Sequence, residues 1–215
     1  MNQFKISTRL LLLVAVLSVL LIGIGSVGLV GIGQVGRQVA RIAHVFEMKV
    51  LACDPFVEPD EIRRRGAEPV DLDTLLAQSD VVSLHCPRDA GTLRMMNAQR
   101  FARMKRGAMF ITTARGGIHD EQALAEALRS GHLSGAGLDV WDQEPPALDH
   151  PLLAMDQVYA TFHTAGVTHE ARRNVARMGA EQLIGYKNHL SLPPRCANPQ
   201  AWPAHLERRK KILGF

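Results

Sequence analysis

The sequence is poor in the residues that several classes of function require. It holds three cysteines, Cys53, Cys86 and Cys196, an odd number, widely spaced and without a CxxC pair. That usage argues against a disulfide framework and a zinc site, and for a reducing compartment. Aromatic residues make up 5% of the chain, too few to suggest a surface on which bases stack. The net charge of +4 is modest, and much of the excess lies in Arg208, Arg209, Lys210 and Lys211. Those four read as a solvated tail, so no nucleic-acid partner is expected. Charge is also absent from one long stretch: nothing between Arg9 and Arg37 is ionisable, and Leu10 to Ile24 is almost unbroken Leu, Val and Ile. The remainder is ordinary globular material, 47% hydrophobic and 21% charged over 215 residues, enough for one good-sized domain with extensions.

What is present is organised around Gly31-Ile32-Gly33-Gln34-Val35-Gly36, set between the apolar run Val27–Val30 and a helical pattern from Arg37 to Phe46. Strand, glycine turn and helix in that order make a phosphate cradle. Gly31 takes the tight turn, Gly33 leaves room for a pyrophosphate, and Gly36 lets the helix lie close to the strand. The apolar positions Val35, Val39, Ile42 and Phe46 recur at helical spacing. A second hexapeptide of the same spacing, Gly23 to Gly28, lies inside the apolar run and lacks this context. A second strand, Lys49–Cys53, ends at Asp54, eighteen residues beyond Gly36. A carboxylate at that distance suits the ribose hydroxyls of adenosine and repels a 2′-phosphate, so NAD is the expected cofactor. The plainer reading of Asp54 is a turn residue ahead of Pro55.

Downstream, the pattern predicts helices over Glu58–Arg65, Leu72–Ala77, Asn97–Met104, Asp120–Leu128 and onward from Thr168. Strands are predicted over Asp80–His85, Ala108–Thr113, Leu133–Asp139 and Val158–Thr161. About six parallel strands alternating with helices make an α/β, doubly wound sheet of the Rossmann type. The expected organisation is a hydrophobic N-terminal segment over 1–26, an NAD-binding domain over 27–190, and a tail without regular pattern over 191–215. Ligands of such sheets sit beyond the carboxyl ends of the strands. The glycines, Asp54, His85, Arg115, Asp139 and His163 all fall there.

Arg115 follows a buried strand and precedes Gly116-Gly117, so its guanidinium is placed to hold a carboxylate by two parallel hydrogen bonds; the alternative is a surface loop arginine. His163, at the end of another strand, is the natural proton carrier for interconverting a hydroxyl and a carbonyl, provided a carboxylate orients it. Glu144, in Trp141-Asp142-Gln143-Glu144-Pro145-Pro146, is the candidate. The chain has nine histidines, and most, His119 among them, read as ordinary core or surface residues. Asp139 suits either a carboxamide amine or a cap.

From about Val27 to Pro199 the chain resembles the D-isomer-specific 2-hydroxyacid dehydrogenases, in the phosphoglycerate dehydrogenase and hydroxypyruvate reductase branch. The matching stretches are Val30–Gly36, Ser83-Leu84-His85-Cys86-Pro87, Thr113-Ala114-Arg115-Gly116-Gly117, Gly131–Val140, Glu144-Pro145 and His163-Thr164-Ala165-Gly166. The resemblance implies Arg115 as carboxylate anchor, Glu144 as partner of the histidine, and His163 as acid/base. It places Gln34 and Val35 at the pyrophosphate, Asp54 at the ribose and Asp139 at the nicotinamide. His85, Cys86, Pro87, Thr113, Ala114, Ala165 and Gly166 would line the cofactor, with no metal. It further implies a small 2-hydroxy or 2-keto acid as substrate, a cytoplasmic protein and a homodimer.

Two departures accompany it. The family's substrate lobe ahead of the glycine motif is largely missing here. Met1 to Ile22, with Lys5 and Arg9 before the apolar run, resembles instead the first membrane helix of a methyl-accepting chemotaxis receptor. The expectation is therefore a truncated dehydrogenase with a fused leader. The alternatives are a non-catalytic NAD-binding regulatory module and a protein tethered to a membrane through residues 1–25, the last not favoured because nothing separates the apolar run from the first strand.

Overall fold

A computed structural model describes residues 25–189, 192, 196 and 198–213. The apolar leader and its receptor-like helix lie outside them. Among the described residues no helix is long and apolar enough to cross a membrane. They fall into two compact units that divide between Thr164 and Ala165.

The first unit is built on a seven-stranded sheet. Its strands are β1 (Ser26–Val30), β2 (Lys49–Cys53), β3 (Glu68–Pro69), β4 (Val81–Leu84), β5 (Met109–Thr112), β6 (Gly135–Leu138) and β7 (Val158–Ala160). Every pairing is parallel, in the order β3-β2-β1-β4-β5-β6-β7. Helices cross between them: α1 (Gln34–Val45), α2 (Pro59–Arg64), α3 (Leu72–Gln78), α4 (Ala98–Arg103) and α5 (Glu121–Arg129). Successive strand residues point to opposite faces, and both faces are covered. Val27, Leu29, Val50 and Ala52 enter one core with Ile32, Ala40 and Ala43, while Val30, Leu51, Val82 and Leu84 enter the other with Leu75, Phe101 and Phe110. Continuous apolar strands are what a sheet buried on both sides demands.

The chain moves outward from β1 to β3, then returns to the far side of β1 as β4. Connections therefore leave β1 and β4 in opposite directions, which opens a crevice above their carboxyl ends. Three crossover helices start on side-chain caps. Asp71 accepts from the Thr74 N–H, Asn97 from Arg100, and Asp120 from Ala123, each satisfying a donor the first turn cannot.

Three features differ from the expectation. β3 has two residues, one of them a proline, too short to register as periodicity and tolerable because it lies at the edge. On α1 the side packed into the core carries Gly36, Ala40 and Ala43. Val35, Ile42 and Phe46 are exposed, as is Val45 at 80%. Small residues let helix and sheet approach closely, and the bulkier residues form the neighbouring stripe at the same period, from which Val39 packs partly against the core. Finally, the first unit ends at Thr164, whereas the sequence pattern runs the domain to 190.

The second unit contains α6 (His169–His189) and α7 (Trp202–Leu213), so the expected patternless tail has a helix in it. There Tyr186, Trp202 and His205 pack ring on ring, and the Arg209 guanidinium lies 4.5 Å from the centre of the Tyr186 ring.

Candidate active site

The cradle is built by close backbone approach. Gly31 has φ +94° and donates its N–H to the Cys53 carbonyl at 2.9 Å. A Cβ at Gly36 would stand 2.3 Å from the Gly31 carbonyl oxygen, so only glycine lets α1 start this near the turn; a Cβ at Gly33 would meet nothing within 4 Å. That opening lies at the head of α1, where the first-turn N–H groups have no intrahelical acceptor and the dipole is positive. Gln34 and Val35 stand exposed in that turn. The cradle therefore fits an anionic pyrophosphate on donor chemistry and on space.

Asp54 is held rather than loose. Its Oδ2 accepts from the Ile32 N–H and its Oδ1 from the Phe56 N–H, both at 3.0 Å. Arg65 braces the same turn from outside, donating to the Ile32 carbonyl at 2.8 Å and, through Nε, to Glu61. Asp54 borders an apolar cavity of about 430 Å³, walled by Val30, Gly31, Gly33, Cys53, Phe56, Leu72, Cys86, Pro87 and Met95. Burial pushes the Cys53 thiol up, and Cys86 up to about 11, so both stay neutral in the physiological range. The chemistry suits an adenine ring in the cavity with its ribose at the carboxylate.

His85, Cys86 and Pro87 also wall a second cavity, of about 790 Å³, on the β5–β6 side. Burial holds the His85 imidazole down to about 4, so its ring is neutral, and its Nε2 is buried without a hydrogen-bond partner in the protein. The second cavity gathers Val35, Thr113, Ala114, Arg115, Trp141, Glu144 and His163. Arg115 rides on the turn after β5, where a Cβ on Gly116 would fall 1.7 Å from the Trp141 carbonyl oxygen. The diglycine is thus what allows this loop to pass against the next one. Arg115 Nη1 donates to the Ala114 carbonyl at 2.6 Å.

His163 and Glu144 meet: Nδ1 lies 2.9 Å from Oε2. Glu144 Oε1 accepts from the Trp141 N–H at 3.1 Å. The contact with His163 holds the Glu144 carboxyl below its usual range, so it is an anion that accepts from Nδ1–H and leaves Nε2 to the cavity. His163 has φ +55°, a left-handed backbone unusual for a side chain with a Cβ. Asp139 secures it. This buried aspartate accepts on Oδ1 from the Thr164 N–H at 2.8 Å and from the Thr161 hydroxyl, and its carbonyl accepts from the His163 N–H at 2.6 Å. It sits below the histidine loop and is not among the residues that line either cavity. Ala165 and Gly166 begin the second unit.

The structure adds residues that the sequence pattern left unassigned. Trp141 closes one wall, with Nε1 donating to the Thr161 carbonyl at 2.8 Å. Asp142 ties the Gly117 N–H at 2.8 Å and Arg94 at 2.8 Å. Arg88 enters the cavity one residue after Pro87. Their signal was position alone: each stands in or beside a strand-end stretch singled out for other members.

Comparison with known proteins identifies the family of the chain. Residues 21–165 match the family model described as D-isomer specific 2-hydroxyacid dehydrogenase, NAD binding domain. The D-3-phosphoglycerate dehydrogenase of Archaeoglobus fulgidus is 41% identical over 172 residues, 80% of this chain and 33% of that protein. The glyoxylate reductase of Korarchaeum cryptofilum is 41% identical over 165 residues, 77% of this chain and 49% of that one. Among solved structures, D-lactate dehydrogenase with NAD+ from Lactobacillus jensenii superimposes with a TM-score of 0.70 at 34% identity, covering 76% of this chain and 53% of that one. The chain thus spans half or less of the length of these curated relatives.

Proposed function

The chain belongs to the D-isomer specific 2-hydroxyacid dehydrogenase family through its NAD-binding domain, and from there we propose that it binds NAD and serves the oxidation of a 2-hydroxy acid or the reverse reduction of a 2-keto acid. The observation that carries this reading is the His163–Glu144 pair, 2.9 Å apart, lining one cavity with Arg115. That cavity shares the His85-Cys86-Pro87 wall with the pocket of Asp54.

NAD, when bound, supplies the hydride acceptor or donor. The chain's own residues bind, orient and move a proton. The Gly31–Gly36 cradle and the head of α1 hold the pyrophosphate, and Asp54 takes the ribose hydroxyls. Val35, Thr113 and Ala114 flank the reactive end. Arg115 grips the substrate carboxylate and fixes which face of C2 is presented. His163 Nε2 accepts the C2 hydroxyl proton on oxidation and returns it to the carbonyl oxygen on reduction. Glu144 keeps Nδ1 protonated and offsets the imidazolium charge as it forms. Asp139 acts through the loop it anchors. A cytoplasmic location and a homodimer go with this reading as parts of the proposal.

The alternative reading is a module that binds NAD without turnover. One experiment separates the two. NAD is titrated by thermal shift into the wild type and His163→Asn, and NADH formation with glycerate, lactate and 3-phosphoglycerate is followed at 340 nm. Under the dehydrogenase reading both proteins bind NAD, and the variant loses at least about a hundredfold in rate. Binding without rate in either protein selects the module. Absence of NAD binding in the wild type refutes both.

A further inference from the structure

The cavity of His163 holds two arginines, and the mechanism uses one. Arg88 lies on the loop after β4, and its Nη1 donates to the Gly116 carbonyl at 3.2 Å, one residue past Arg115. Its side chain packs over the diglycine: a Cβ on Gly117 would stand 3.5 Å from both Arg88 Cδ and Nη1, at a position whose φ is +80°. Glycine is called for at 117 by that backbone angle, and the Arg88 side chain lies in ordinary van der Waals contact with the position.

Neither guanidinium is matched by a carboxylate. Among the described residues, Arg88 and Arg115 each donate to a backbone carbonyl, and no Asp or Glu pairs with either. The two acids of the cavity are otherwise engaged. Asp142 is bound to Arg94 and to the Gly117 N–H, and Glu144 to His163 and the Trp141 N–H. A cavity of about 790 Å³ thus presents two exposed guanidinium groups with no carboxylate bonded to either. Guanidinia placed in this way are built to receive oxyanions by paired hydrogen bonds.

Resting on the dehydrogenase reading, we infer that Arg88 is a second anion anchor, and that the acid taken here carries two separate anionic groups (a dianion in that sense, a phosphate ester bearing close to two charges of its own). One end is the 2-hydroxy carboxylate held by Arg115. The other is a phosphate, sulfonate or second carboxylate on the carbon beyond C2, held by Arg88. Arg88 is a specificity-determining residue on this account, and the proton still travels through His163.

The test is binding by the full chain, read by calorimetry and tryptophan fluorescence, with and without NADH. Glycerate is compared with 3-phosphoglycerate, and lactate with 3-sulfolactate and malate, which separates the three kinds of second group. The wild type is expected to bind at least one dianion about tenfold or more tighter than its matched monoanion, with a steeper loss as salt is raised. Arg88→Gln should cost that dianion about tenfold more than it costs the monoanion, and Arg88→Lys should recover part of the preference. Circular dichroism and melting temperature check that the variants fold. Equal loss of both acids, a loss confined to NADH affinity, or no dianion preference in the wild type overturns the inference. Failure of NADH to bind sinks the dehydrogenase reading alone, because the acid titrations without NADH still report on Arg88.

Discussion

His163 and His119 show how far surroundings decide what one residue type can do. His163 is exposed, bonded to Glu144, and held at φ +55° by Asp139 beneath it. A non-glycine residue in that region costs about 1–3 kcal/mol, and such strain persists where the surrounding structure over-determines it; here the His163 and Thr164 N–H groups are both bonded to Asp139. His119 is fully buried beside Phe110, with neither ring nitrogen hydrogen-bonded. Desolvation holds it neutral down to about 4, against 6.5 for a free imidazole. Between those values the unfolded chain binds the proton that the native state refuses, so stability falls as the pH drops from 6.5 towards 4 and is flat above. His85 acts in the same direction. His119→Leu removes both the unsatisfied nitrogens and this titration. Urea unfolding at pH 7 should show the variant equal to or about 1 kcal/mol more stable than the wild type. At pH 5 the gap should widen by a further ~2 kcal/mol. A gap that stays constant between the two pH values would show that His119 does not titrate on unfolding.

At the level of elements, the sheet was largely readable from the chain and the helix faces were not. β1, β2, β4, β5 and β6 are covered on both sides, so each appears as an apolar run bounded by turns, and no choice of face has to be made. α1 requires such a choice. Val35, Val39, Ile42 and Phe46 share the period of Gly36, Ala40 and Ala43, and hydrophobicity alone picks the bulkier set. Packing puts the smaller set at the closest approach to the strand, where a Cβ on Gly36 would meet the Gly31 carbonyl, and leaves Val39 partly buried at the edge. The candidate site divides likewise. Arg115 and His163 stand out by their positions at strand ends and Glu144 as the candidate carboxylate partner, but the contact between Glu144 and His163 bridges nineteen residues, and no local pattern encodes it. Trp141 reaches the cavity because Gly116 lets two loops pass, and Arg88 meets the same loop at the Gly116 carbonyl, which is legible only in three dimensions. Gly36→Ala tests the packing argument. Its Cβ would press on backbone at 2.3 Å, so urea unfolding should register a loss of about 2 kcal/mol or more, with NAD affinity falling alongside. The cap residue Asp120 should cost about 1 kcal/mol as Asp120→Ala, with NAD affinity unchanged because its carboxylate serves the start of α5 and a 3.8 Å pairing with Arg94 and lines neither cavity. Equal effects of the two substitutions on NAD binding would contradict the assignment of the cradle.

Across the whole first unit, the candidate site belongs to the sheet rather than to one segment. The Asp54 pocket draws on the ends of β1, β2 and β4, and the His163 cavity on the loops after β4, β5, β6 and β7. Among the described residues, only the His85-Cys86-Pro87 turn after β4 borders both. A dinucleotide reaching from one pocket to the other must tie together loops that no strand pairing connects, whereas a mononucleotide can occupy the first pocket alone. Hydrogen exchange can separate these cases. AMP at saturation should slow exchange at residues 31–36, 54–57 and 85–87, leaving the loops at 113–117 and 141–144 unprotected. NAD should protect all five, and at a concentration one hundred times its dissociation constant should stabilise the unit by about 2.7 kcal/mol. The pattern matters more than its size: protection by NAD that stops at the turn after β4 would mean that the reactive half of the cofactor does not enter the cavity of Arg115 and His163. A hydride could not then pass beside that imidazole, whatever the affinity for the adenosine half.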